Sequence, residues 1–424
     1  MSLQIFILCM IIVGEFFFIV TVKFLRKDFK WLITSDDEQP NFNTKELESF
    51  FSKSYDPTLG WVRKFFSIGI ENGEQGKIYF KTDEVGSRIN SNSSKYVPSI
   101  SCFGDSYAFC RQVDNDETWE YFLSDFFNTG VLNFGVGNYG FDQALIRYKN
   151  IKLPEYVDTV IMGVVPETIC RIQSYWKHYL EFGNVFAFKP KFRLQKGSLN
   201  LQKNPMQNEK DFFHYHEKIP HIQRNDRFYK EKFKKFQFRF PYSISFLRNF
   251  NRNTKLFYAL IRRSIKRFLG KSDSSTENLP FLLIMENNIQ ISHALYREKY
   301  SKDLFSALLK DFTNHAISNN HNPIFILLPQ LVDCNIIKKT NQNPFSEFIR
   351  ELNISNLKII DFTMLFPKLE NLTDYYVNDE YGGHLSKKGN RYVADVLRSE
   401  LNITLGKRND ENNLKGLYKK QSIS

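Results

Sequence analysis

Two short stretches, far apart in the chain, hold residue types that do nucleophilic chemistry together. The first is Ser101-Cys102-Phe103-Gly104-Asp105-Ser106-Tyr107, a buried-strand pattern that ends in Gly-Asp-Ser and passes into a turn. In an open α/β sheet, ligands bind outside the carboxyl ends of the strands. Ser106 stands at such an end, near a helix N-terminus able to stabilise negative charge. The second is Glu380-Tyr381-Gly382-Gly383-His384-Leu385-Ser386, which leads into the last helix. The paired glycines let the backbone bend and aim His384 into a cleft. A lone Gly-Asp-Ser would more simply cap a helix through Asp105 or Ser106, and a lone His is usually structural. An early Gly-Asp-Ser strand end paired with a late His on a Gly turn points instead to a serine–histidine hydrolytic pair.

The elements that must position these residues follow from hydrophobic periodicity. Short β-branched apolar runs bounded by turn residues predict five buried parallel strands at 97–103, 130–136, 158–164, 323–328 and 357–362. Helical patterns fill 118–127, 142–150, 302–319 and 345–352, and a last helix closes the fold at about 387–401. Strands alternating with helices predict an α/β fold, a doubly wound parallel five-stranded sheet in a three-layer sandwich. Residues 1–30 read as an N-terminal membrane anchor, 31–95 as a linker and entry segment, 96–405 as the globular domain, and 406–424 as a polar tail. A basic cap or insertion interrupts the domain at about 175–282.

Charge supports that partition. The chain has 424 residues, 42% apolar and 16% aromatic, with a net charge of +12. Such length and aromatic content exclude a mostly disordered chain and allow a large core without metal or disulfide staples. Between Lys189 and Lys271 stand 22 basic and 5 acidic residues; the rest of the chain holds 36 basic and 41 acidic. The excess is therefore regional, which argues for an anionic partner at one surface. Within it, 246–269 reads as a basic amphipathic helix that either lies on anionic lipid or docks on the core with its charges outward.

The run from Ile5 to Val22 is 18 residues long and interrupted by Gly14, Glu15 and Thr21, just long enough to span a bilayer as a helix. It lacks the basic flank and small-residue cleavage site of a secretory signal, so it reads as an uncleaved single-pass anchor. Lys23, Arg26, Lys27 and Lys30 follow it, which leans the domain towards the cytoplasmic face, with the opposite face left open. Glu15 at mid-span calls for a partner helix or a proton. The five cysteines are scattered and form no CxxC pair, indicating neither a zinc site nor a disulfide framework.

From 97 to 401, outside the basic insertion, the chain resembles the SGNH/GDSL hydrolase family. The resemblance rests on three blocks in order: the Gly104-Asp105-Ser106 strand end, Asn133-Phe134-Gly135-Val136-Gly137-Asn138-Tyr139-Gly140 after the second strand, and His384 before the closing helix. It implies Ser106 as nucleophile, His384 as general base, and an oxyanion hole from the backbone amides of Ser106 and Asn138. The family usually has Gly at the latter position, and Asn tolerates the left-handed backbone better than most residues. The third block, Ile161-Met162-Gly163-Val164-Val165-Pro166-Glu167, places Glu167 where the family has a hydrogen-bond-donating Asn. An ionised carboxylate cannot donate, so Glu167 is expected either to turn away, paired with Arg171, or to leave the hole to two backbone amides. The orienting carboxylate is Asp379 by preference, with Glu380 or a Ser–His dyad as alternatives.

The resemblance implies a serine ester hydrolase or O-acyltransferase, without cofactor, for O-acetyl groups on glycans, lipid esters or thioesters. With the anchor and the aromatic, basic insertion, an acylated glycan or glycolipid fits best. Gly137, Glu167, Arg147 and Arg171 are candidate substrate-binding residues, with salt bridging equally open for the arginines. A catalytically impaired glycan-binding or assembly protein is the alternative. His214-Tyr215-His216 lacks the carboxylate or Cys cluster a metal would need. No P-loop or dinucleotide fingerprint appears, and no nucleic-acid module.

Overall fold

The computed structural model describes residues 3–26, 39–73, 76–377 and 383–401. Five parallel strands form the central sheet: β1 Pro98–Gly104, β2 Gly130–Asn133, β3 Thr159–Val164, β4 Asn322–Leu327 and β5 Lys358–Asp361. Their order is β2-β1-β3-β4-β5. This is a doubly wound arrangement, and its connections diverge between β1 and β3, the switch point where ligands bind.

The helices named below run in chain order: α1 Leu3–Arg26, α2 Trp119–Phe127, α3 Phe141–Asn150, α4 Tyr242–Arg248, α5 Phe250–Phe268, α6 Ser274–Arg297, α7 Lys299–Ser318, α8 Leu331–Thr340, α9 Pro344–Glu351, and α10 at 387–401. Alternation along the buried strands feeds two cores. Phe103, Val160, Met162, Phe325 and Leu327 face α3, α7 and α9. Ile100, Cys102, Ile161, Ile324 and Ile326 face α2 and α10, where Trp119, Leu123, Val393 and Leu397 are buried. The sheet is thus covered on both faces, as its uninterrupted apolar strands require.

The stretch read as a linker and entry segment is folded from 44 on, with a helix Thr44–Lys53 and a hairpin of Ile68–Gly73 with Gly76–Lys81, and its Leu47, Phe51, Tyr55 and Leu59 join the main core. Two further elements differ from expectation. The second strand's regular pairing ends at Asn133, although Val136 N–H still reaches the Gly104 carbonyl at 3.0 Å, and Gly135 brings the chain against the turn that follows β1. A Cβ there would lie 2.2 Å from the Phe109 nitrogen. The predicted helix at 246–269 is two helices, α4 and α5, broken at Asn249. The Asn249 backbone is non-helical, and its side-chain amide donates to the Lys235 carbonyl, fourteen residues upstream, at 2.6 Å.

The region 175–282 carries an antiparallel hairpin, Lys191–Gln195 with Ser198–Gln202, amid short helices. Part of its basicity is internal. Buried Lys189 pairs with Asp142 of α3 at 2.5 Å and donates to the carbonyls of Arg171 and Ser174. Lys191 donates to the carbonyls of Gln173 and Asn225. These contacts fix the insertion to the sheet's ligand-binding end. All five cysteines are free.

Residues 4–25 of α1 are apolar and long enough to cross a membrane. Its second half is not isolated. Val22 and Leu25 pack with Phe238, Leu256, Phe257 and Leu260. The Glu15 carboxylate accepts from the backbone amides of Tyr242 and Ser243, the latter at 3.0 Å. The partner expected for this acidic residue is therefore the N-terminus of α4, whose unpaired N–H groups suit an anion.

Candidate active site

β1 ends at Gly104, whose φ of +152° and contact with β3 exclude a side chain: a Cβ would lie 1.8 Å from the Gly163 carbonyl oxygen. The close approach lets Asp105 N–H reach that carbonyl at 3.3 Å and throws the chain into a short helix, Ser106–Phe109. Asp105 caps this helix, its Oδ1 accepting from Tyr107 N–H at 2.9 Å. Its Oδ2 takes the Val165 amide at 2.9 Å and Arg171 Nη1 at 3.2 Å. Of the two residues that could cap, Asp105 does so. Among the described residues Ser106 Oγ makes no hydrogen bond, and its side chain lines a cavity of about 970 Å³.

His384 lines the same cavity from the opposite end of the chain. Its segment is pinned by Val377 N–H to the His384 carbonyl at 2.7 Å, Ser386 N–H to the Tyr375 carbonyl at 3.0 Å, and Tyr107 Oη to the Gly383 carbonyl at 2.7 Å. The Tyr107 ring sits 5.2 Å from the imidazole, centroid to centroid. The imidazole Nδ1 lies 2.7 Å from Gln112 Oε1. A carbonyl oxygen can only accept, so Nδ1 carries the hydrogen and Nε2 keeps its lone pair. Burial, reinforced by the Arg111 and Arg171 cations, pushes the imidazole pKa down to about 3. His384 is therefore neutral, the form a general base needs.

Asp379 and Glu380 lie outside the described residues. The group on His384 Nδ1 is the neutral amide of Gln112, which the motif reading missed. Gln112 stands six residues after Ser106, at a left-handed position with φ of 71°, and its N–H donates to Glu71 at 3.3 Å. Only the unusual backbone, invisible in sequence, turns it back towards the histidine.

Asn138 also lines the cavity and adopts φ of 70°, a conformation Asn accepts more easily than other side-chain-bearing residues. Among the described residues, neither the Ser106 nor the Asn138 backbone N–H is given to another acceptor. Gly137 turns its carbonyl to Trp61 Nε1 at 3.0 Å. Glu167, in the cavity wall, pairs with Arg171 Nη2 at 2.7 Å, while its Oε1 is buried without a partner. Burial opposes the Arg171 charge, but Glu167 and Asp105 outweigh it and raise the guanidinium pKa. Of the expectations for Glu167, pairing with Arg171 is the arrangement found. Arg147 is absent from the cavity wall; it is buried and donates to the carbonyls of Phe134 and Gly86.

The insertion and α6 supply much of the rest of the cavity. Tyr179, Phe182, Phe233 and Phe236 give aromatic surface, and Asn184, Asn287 and Asn288 give amides. Lys232 donates to Asn288 Oδ1 at 2.7 Å, and its pKa falls to about 8 through burial. No group of three or more His, Cys, Asp and Glu suited to a metal occurs among the described residues.

The sequence matches no protein-family model and no curated protein. Among solved structures, it is similar to a protein from Desulfitobacterium hafniense DCB-2 assigned as a lipolytic protein of the G-D-S-L family. The identity is 14%, over 71% of this chain and 97% of that one, with a TM-score of 0.30.

Proposed function

We propose that this chain is a membrane-anchored serine ester hydrolase or O-acyltransferase of the SGNH type. The observation that carries this reading is one cavity lined by both Ser106 and His384, with the imidazole held neutral and its Nδ1–H engaged by Gln112. In the proposed reaction His384 Nε2 takes the Ser106 proton as Oγ attacks the ester carbonyl carbon. The amides of Ser106 and Asn138 donate to the developing oxyanion. Collapse of the tetrahedral intermediate expels the alcohol, which leaves with the proton held by His384. Water or an acceptor hydroxyl then attacks the acyl-serine by the same route in reverse.

The substrate we infer is an acylated, most simply O-acetylated, glycan or glycolipid. Aromatic faces and side-chain amides in the insertion's part of the cavity support it, since sugars offer both apolar ring faces and hydroxyls. Hydrolysis of p-nitrophenyl acetate and longer acyl esters tests the reading, with Ser106→Ala and His384→Ala alongside. Turnover lost in both variants is expected; turnover unchanged in both removes the assignment.

A second reading is a catalytically impaired glycan-binding or assembly protein. It is favoured by a neutral amide on His384 and by the Glu167 carboxylate beside the hole. Saturable binding of an acylated glycan, without acyl release or transfer in any form of the chain, would select it.

A further inference from the structure

We infer that α4 and the outward stripe of α5 are embedded in the lipid bilayer beside α1, so that the insertion is itself a membrane element. The inference rests on α1 crossing a bilayer, not on the ester chemistry. The apolar span of α1, residues 4–25, includes Glu15, which meets the N-terminus of α4. A bilayer's hydrocarbon core is about 30 Å thick, so at about 1.5 Å per residue a crossing helix uses roughly 20 residues. A crossing of that length within residues 4–25 takes in residues 15 onward, which lie against α4 and α5 through Phe18–Phe246 and the Val22–Leu25 cluster. Whatever depth those residues reach, α4 and α5 share it.

The surface of these helices is built for that setting. On α4, Ile244 and Leu247 are exposed, and Phe240 just before it is 70% exposed. On α5, Phe250, Tyr258, Ile261, Ile265 and Phe268 are exposed, Phe268 to 91%. At about 100° per residue these five fall within roughly 80° of the helix circumference. Asn253, Leu256, Phe257 and Leu260 occupy the buried side. The helix is therefore apolar on two faces, and only one of them is covered by protein. Exposed Lys255 and Arg262 lie together along one edge of the stripe. From 242 to 269 there are seven Lys and Arg and no Asp or Glu. A two-faced helix with a cationic edge fits an anionic lipid surface. Arg252 of α5 and Phe236 just upstream of α4 also line the cavity, so this placement sets the active site against the membrane.

The test uses the full chain, with Cys9→Ser wherever another cysteine is introduced, in vesicles of phosphatidylcholine and phosphatidylglycerol. An environment-sensitive fluorophore is attached at Leu247→Cys or Ile265→Cys. The native Cys9, exposed on α1, serves as the membrane control, and Tyr156→Cys, exposed in the loop before β3, as the aqueous one. Quenching by lipids brominated on their acyl chains is read. Probes at 247 and 265 should lose emission as the Cys9 probe does, while the probe at 156 keeps it. Probes at 247 and 265 that behave like 156 overturn the inference, as does a Cys9 probe that is not quenched.

Discussion

His384 Nδ1 meets Gln112 Oε1 at 2.7 Å, so a neutral amide stands on the imidazole nitrogen that a Ser-His-Asp triad gives to its carboxylate. An amide fixes the imidazole tautomer and orientation but cannot offset the positive charge that forms when His384 takes a proton. The arrangement gives a correctly aimed but weak base. Gln112→Glu should raise kcat and move the acid limb of the pH–rate profile upward, because a carboxylate favours the imidazolium. Gln112→Leu should lower kcat by about 10–100-fold, since a buried Nδ1–H left unsatisfied costs roughly 1–3 kcal/mol. Both are read from pH–rate profiles.

The depressed His384 pKa makes a separate prediction for stability. In the unfolded chain the group titrates near its ordinary 6.5; folded, it is pushed to about 3 by burial and by Arg111 and Arg171. The unfolded state therefore binds the proton first as pH falls. Stability is fully present above 6.5 and is lost towards 3, by about 1 kcal/mol per pH unit. Denaturant titrations from pH 7 to 4 should show this slope, reduced in His384→Gln. Activity, in contrast, should stay flat through neutral pH, with no loss as pH passes 6.5.

Arg171 joins two buried carboxylates, Glu167 at 2.7 Å and Asp105 at 3.2 Å. Arg171→Ala strands both, and breaking a buried pair in this way costs about 3–5 kcal/mol. Glu167→Gln keeps the Asp105 contact and should cost less than half of that. Thermal denaturation of the two variants checks the order.

Gly104→Ala should prevent folding or leave only traces of soluble protein, because its Cβ would overlap the Gly163 carbonyl. Gly137→Ala should fold normally, since the nearest atom, Arg111 Cδ, lies 3.8 Å away. Soluble yield and circular dichroism separate the two.

The parts of this protein that were legible in its sequence are those set by local pattern. The five strands appear within a few residues of their expected positions, because the central ones are largely buried on both faces and read as apolar runs, while the edge strand β5 keeps only its Ile pair to mark it. That Ser106 and His384 converge on one cavity was legible because Gly104 and Gly383 mark the backbone bends that present them. Gln112 was not, since its role depends on a left-handed turn that no neighbouring Gly announces. The basic stretch was legible as a surplus of charge, but not its division of labour. Lys189 holds the insertion to α3, whereas Lys255 and Arg262 face outward; only packing separates the two. Arg147 follows the second motif just as Arg171 follows the third, yet one props loops behind the sheet and the other lines the cavity.

The most direct test of the central claim is covalent trapping of the nucleophile. The full chain is treated with a fluorophosphonate, digested, and the modified residue located by mass spectrometry. The account predicts a single adduct on Ser106, abolished in Ser106→Ala and strongly slowed in His384→Ala. An adduct on another residue, or a Ser106 that stays unmodified in folded protein, would contradict it.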